Sequence, residues 1–206
     1  MGHSEAIKLV EKKIKEGKGK QEILTEVKKE IKIPRKELAN LLQHIPTLAQ
    51  RNKYKKINTI LIVFLIASIV VKSIKAWFVL EGTEDIHFFV LTLALPILYL
   101  FLMIEISKFK AFAYKPLVIF SFLDMLNFAV IFLFLKYPHF FESILVISIV
   151  NLIIAVVLLF LGMALDKRMN STYTRKFEKY TTKDGQKKTR ILYIMDEEYS
   201  SPSKKK

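Results

Sequence analysis

Four apolar stretches, 57–79, 87–107, 116–135 and 143–165, occupy the middle of this 206-residue chain. Each holds about the 20 residues that an α-helix, rising 1.5 Å per residue, needs to cross a hydrocarbon core about 30 Å thick. This pattern predicts a mainly α, polytopic membrane protein built on a four-transmembrane-helix bundle. The composition, 52% hydrophobic, agrees with that class and not with an ordinary charged soluble domain.

The formal charge of +14 is unevenly placed. Residues 1–56 carry 15 Lys or Arg against 7 Asp or Glu, residues 166–206 carry 12 against 6, and the block between them carries 6 against 6. The basic excess therefore sits on the two tails. An even number of crossings puts both tails on one side, together with the loop that holds Lys108, Lys110 and Lys115. Lys and Arg near crossing ends stay cytoplasmic. The expected location is thus a plasma or bacterial inner membrane, crossed several times, with both termini cytoplasmic. Its Lys-rich tails would lie over the anionic inner leaflet. The polar first 55 or so residues read as lacking a cleavable signal.

Residues 1–50 read as a basic three-helix module. Ser4 is placed to cap a first helix that ends at Gly17, with Ile7, Val10 and Ile14 on one stripe. A second helix covers about 20–31. A third, entered through Pro34, carries Leu38, Leu41, Leu42 and Ile45 up to Pro46. So small a module has a marginal core and is expected to lean on the membrane, a partner subunit or the C-terminal tail. The second and third helices could form a helix-turn-helix, but Arg is scarce and no aromatic residue precedes Tyr54, which disfavours nucleic acid as a partner.

After the fourth stretch the period changes. Residues 169–199 alternate β-branched and aromatic residues around Asp184-Gly185, a pair suited to the positive φ of a tight turn, so a β-hairpin is expected. A turn centred on that pair sets Phe177 opposite Leu192, Lys179 opposite Arg190, Tyr180 opposite Thr189 and Lys176 opposite Tyr193. Opposed Lys179 and Arg190 repel, so Lys176, Lys179 and Arg190 become candidates for binding an anion or an acidic partner. Glu22, Glu26 and Glu30 could supply that acidic surface, from the same chain or a neighbour. Residues 200–206 read as a disordered basic tail.

The most informative single positions are polar groups inside the apolar stretches: Lys72 and Lys75 in the first, Glu105 near the inner end of the second, Asp124 and Asn127 in the third, and Asn151 in the fourth. Ionisable residues in hydrocarbon cost about 2.5 kcal/mol or more and face the bundle or a cavity by default. By helical rise, Lys72 and Asp124 fall at similar depth, so the two are expected to pair, with Asn151 near. The competing account is that Lys75 and Glu105 snorkel to the interfaces and the Asn residues only bridge helices. Pro96 is expected to kink the second helix.

Catalysis finds no support. The four His are scattered, and there is no Cys, no Gly-rich phosphate loop and no nucleophile elbow. No metal site and no cofactor is expected. The expected function is that of a non-enzymatic, homo-oligomeric, channel-like or membrane-perturbing effector controlled by its cytoplasmic modules. The alternative is a membrane-anchored sensor or adaptor whose basic modules recruit an acidic protein, anionic lipid or nucleic acid.

Overall fold

The computed structural model describes residues 3–31, 33–82, 86–130, 138–181 and 187–195, with the side chains of residues 3, 79–92, 127–144 and 187 left undescribed. It is mainly helical with one small antiparallel hairpin. In chain order the elements are α1 (His3–Lys15), α2 (Lys20–Glu30), α3 (Arg35–Gln43), α4 (Leu48–Gly82), α5 (Ile86–Ser107), a 3₁₀ turn (Ala111–Ala113), α6 (Tyr114–Val130), α7 (Pro138–Met169), β1 (Tyr173–Thr181) and β2 (Lys187–Met195). The chain forms two compact units. One combines both ends, Met1–Lys53 with Lys167–Lys206, and the other is Tyr54–Asp166.

In the first unit, α1, α2 and α3 bury Val10, Ile14, Ile23, Val27, Leu38 and Leu42 against one another. Gly17 ends α1 at φ 81°, where its N–H reaches the Ile14 carbonyl and the Lys18 N–H reaches the Lys13 carbonyl. That pair of bonds is the Schellman closure that glycine makes cheap. Two boundaries differ from expectation. The helix begins at His3, so Ser4 lies inside it, and Pro34 is the residue before α3 rather than its first turn. Pro34 has an extended ψ of 137°, which the fixed proline φ allows.

The C-terminal tail packs on this module. Met195 is buried in the three-helix core, with Tyr173 and Tyr193 packed on it, ring centroids 5.5 Å apart and edge to face. Polar bonds join the two ends. Gln21 Oε1 accepts from the Met195 N–H at 3.0 Å, and the Tyr173 hydroxyl donates to Asn40 Oδ1 at 2.7 Å. The Ser171 N–H donates to the Gln43 carbonyl, and buried Lys20 donates to Ser171 Oγ at 2.8 Å.

The hairpin pairs Phe177 with Ile191, Glu178 with Arg190, Lys179 with Thr189 and Lys176 with Leu192. This is one residue away from the register that a turn centred on Asp184-Gly185 gives. That turn itself lies outside the described residues. Two causes favour the observed register. It replaces an Lys179–Arg190 opposition with a Glu178–Arg190 ion pair at 2.6 Å. It also gathers Tyr173, Tyr193 and Met195 onto one face, whereas a one-residue slip sends Tyr173 to the opposite side from the other two. The glutamates expected to meet the hairpin are engaged elsewhere. Glu26 pairs with Lys18 and Lys13, Glu30 with Lys13 and Glu22 with Lys18. Hydrogen bonds from Lys18 and then Lys13 hold the Glu26 carboxyl below its ordinary pKa, and the Glu26 contact raises that of Lys13.

α4 starts well before the apolar stretch at 57, and its residues up to Lys53 belong to the first unit. Its start is a capping box, in which the Gln50 N–H donates to Thr47 Oγ1 at 3.2 Å while Gln50 Oε1 accepts from the Thr47 N–H at 2.8 Å. Pro96 lies within α5, which continues to Ser107. The chain then turns through Phe109 at φ 55°, where the same Schellman pair of bonds forms, from Phe109 N–H to the Ile106 carbonyl and from Lys110 N–H to the Glu105 carbonyl. A phenylalanine in this conformation carries a steric penalty that glycine would not. The third apolar stretch is seen as α6 to Val130, and 131–135 lie outside the described residues. The fourth is longer than expected, running from Pro138 to Met169. Two helical stretches, Arg35–Phe78 (whose apolar part is in α4) and Leu145–Met169 of α7, are long and apolar enough to cross a membrane.

Candidate functional site

All four long helices of the second unit send one polar side chain to a common point. Lys72 of α4 donates from Nζ to Asp124 Oδ2 of α6 at 2.7 Å and to Asn151 Oδ1 of α7 at 2.8 Å. Tyr99 of α5 donates its hydroxyl to the same Asp124 Oδ2. The Lys72 ammonium also sits 4.7 Å from the centroid of the Tyr99 ring, close enough for cation–π attraction. Lys72 and Asp124 are each 5% exposed, and Tyr99 is fully buried. The cation thus meets a carboxylate, an amide oxygen and a ring face, while the carboxylate receives two donors. Such pairing is what makes buried charge tolerable, because an uncompensated ion in a low-dielectric interior carries a penalty of several kcal/mol.

Helical spacing builds this site. Ser68, Ser121 and Ser148 are buried one turn from Lys72, Asp124 and Asn151 on their own helices. Together they make a polar stripe on the inner side of three helices whose other sides are apolar. Ile97 of α5 is 64% exposed and Phe160 of α7 is 63% exposed, and Val63, Trp77, Phe122 and Leu126 are exposed on α4 and α6. The unit thus buries a polar stripe among apolar side chains such as Leu61, Leu65, Ile106, Leu117 and Leu158, and it exposes large apolar side chains as well.

The expected site residues divide. Lys72, Asp124 and Asn151 come together. Lys75 is half-buried on α4 and among the described residues forms no ion pair. Glu105 lies in the last turn of α5, where it pairs with Lys110 at 3.2 Å and Lys108 at 3.5 Å. The side chain of Asn127 lies outside the described residues. On the hairpin, Arg190 is engaged by Glu178, while Lys176 and Lys179 are exposed on opposite faces, so the three cations do not form one patch.

Reading by charge passes over Tyr99, whose hydroxyl closes the site. The signal for it is a tyrosine hydroxyl in the otherwise apolar run from Leu93 to Ile104 of α5. A second buried link was also missed. Asn58 Nδ2 donates to the Ile106 carbonyl at 3.1 Å, and the Tyr114 hydroxyl donates to Asn58 Oδ1 at 2.7 Å, tying α4, α5 and α6. Gly162 is a further one, since a Cβ there would come within 3.0 Å of Val118 Cγ2, so α7 approaches α6 closely at this single glycine. Among the described residues no cluster of His, Cys, Asp or Glu is arranged to hold a metal. No family model, curated protein or solved structure matches the chain.

Proposed function

We propose that this chain is a four-pass integral membrane protein with both ends cytoplasmic, and that it acts as a membrane-anchored sensor or adaptor rather than as a conducting pore. Membrane placement of all four helices is supported by the apolar outer sides of α5 and α6 as well as those of α4 and α7. In water, faces of this kind would form a patch larger than monomers tolerate. Orientation is supported by the basic excess on both tails.

One observation carries the choice of anchor over pore. The buried pair Lys72 and Asp124 is spent on itself, with Asn151 and Tyr99 bonded to it directly within one chain. A conduction path needs these groups to face water, whereas a bundle needs them joined. The other end of the reading rests on the first unit. Residues from both tails make one basic domain, and α4 and α7 each contribute residues to both units. An anionic partner bound to that domain would be held at the bilayer through those two helices.

Proteoliposome flux separates the two readings. The purified full chain, reconstituted in sealed vesicles, is expected to pass protons, K⁺, Na⁺ and Cl⁻ no faster than empty vesicles. Flux that rises with protein content and disappears in Asp124→Asn would replace the anchor with an oligomeric channel.

A further inference from the structure

The hairpin face that docks on the three-helix core is not used up there. Tyr173, Tyr193 and Met195 cover the core from one side of the ribbon. Four residues beyond Tyr173 along β1, and on the same side, Phe177 stands opposite Ile191. Both are in solvent, Phe177 at 68% and Ile191 at 42% exposure. Exposed Arg175 and Lys179 flank Phe177 on this face. Over both faces, β1 and β2 each carry three Lys or Arg against the single Glu178.

We propose that this outer half of the hairpin is a lipid-binding arm that seats Phe177 and Ile191 among the headgroups of an anionic cytoplasmic leaflet. The inference rests on the membrane reading above and adds to it the surface that the arm binds. Three observations favour lipid over other occupants. An aromatic and an aliphatic side chain paired across the strands, with Arg175 on one side and Lys179 on the other, match the boundary between acyl chains and acidic headgroups. β1 begins four residues after α7 ends at Met169, so the arm is tethered to a membrane-crossing helix. A second copy is disfavoured, because a two-fold contact through this face would bring its cations against the same cations.

The test uses the chain's lack of cysteine. Thr189→Cys places a polarity-sensitive dye on the Phe177 face, and Thr174→Cys places it on the opposite face. Full-length protein is reconstituted in nanodiscs of phosphatidylcholine alone or with about 30 mol% phosphatidylglycerol, enough to give a strongly negative surface. With the acidic lipid, the dye at 189 is expected to shift to the blue and to be reduced by aqueous dithionite about tenfold more slowly. Salt near 1 M, where the Debye length is about 3 Å, is expected to reverse this. The dye at 174 is expected to stay accessible throughout, and Phe177→Ser with Lys179→Ser is expected to remove the protection without changing the circular dichroism. Equal reduction rates in both lipids overturn the proposal. So does protection that appears in detergent and grows with protein concentration, which would identify a second copy as the occupant. Carbonate extraction of the same preparation reports on the membrane reading separately. A protein that resists extraction but shows no protection at 189 fails here alone, while one that is stripped from the bilayer overturns both.

Discussion

Asp124→Leu is expected to cost about 3–5 kcal/mol of bundle stability, the range for removing one partner of a buried ion pair. The substitution strands two donors at once. The Lys72 ammonium keeps only Asn151 Oδ1 and the Tyr99 ring, and the Tyr99 hydroxyl loses its acceptor. Lys72→Leu should be milder, because Asp124 keeps the Tyr99 donor and lies in a layer that already holds buried Ser121. The double variant Lys72→Leu with Asp124→Leu should recover most of the loss, since hydrophobic replacement of a whole pair is often neutral or better. Adding Tyr99→Phe removes the hydroxyl that loss of Asp124 orphans and should recover more. Unfolding of purified protein in mixed micelles gives the cycle. If the singles are each harmless, or the double is as unstable as their sum, the four-helix network is not what holds the second unit.

Deleting residues 170–206 is expected to unfold α1–α3. The three helices alone supply a small core, and the deletion uncovers the part closed by Met195, Tyr173 and Tyr193. It also leaves buried Lys20 without Ser171 Oγ and takes the donors from Asn40 and Gln21. Each such loss is worth about 1–3 kcal/mol where the group stays buried. A module with little stability to spare does not survive several at once. Hydrogen exchange should show α1 and α2 amides losing most of their protection in the truncated chain while the α7 apolar segment keeps its own. A three-helix module that stays protected would show the hairpin to be an accessory arm.

Much of this architecture is legible in the residues because its causes are local. The three short helices follow from stripes at 3.6-residue spacing and from Gly17. The buried trio follows from counting helical rise to Lys72, Asp124 and Asn151. What was not legible depends on partners distant in sequence. The register of β1 and β2 is decided by Glu178 meeting Arg190 and by Tyr173, Tyr193 and Met195 sharing a core made by α1–α3, and a turn dipeptide carries neither fact. The early start of α4 was local after all, encoded in Thr47 and Gln50, but the basic run that follows resembles a linker until the capping box is noticed. Tyr99 was hidden because a tyrosine among Leu, Ile and Phe reads as apolar. Its hydroxyl matters only once Asp124 is placed against it.

The central claim is that four helices cross the bilayer with their polar side chains turned to one another and both ends inside. Thiol accessibility tests it most directly, because the chain has no cysteine of its own. Single cysteines at Ser4, Ser107 and Ser203 should react with an impermeant maleimide only after cells are opened. Single cysteines at Thr83 and Tyr137 should react in intact cells. Labelling of Ser107→Cys from outside, or protection of Thr83→Cys and Tyr137→Cys in intact cells, would contradict a four-pass arrangement with cytoplasmic ends.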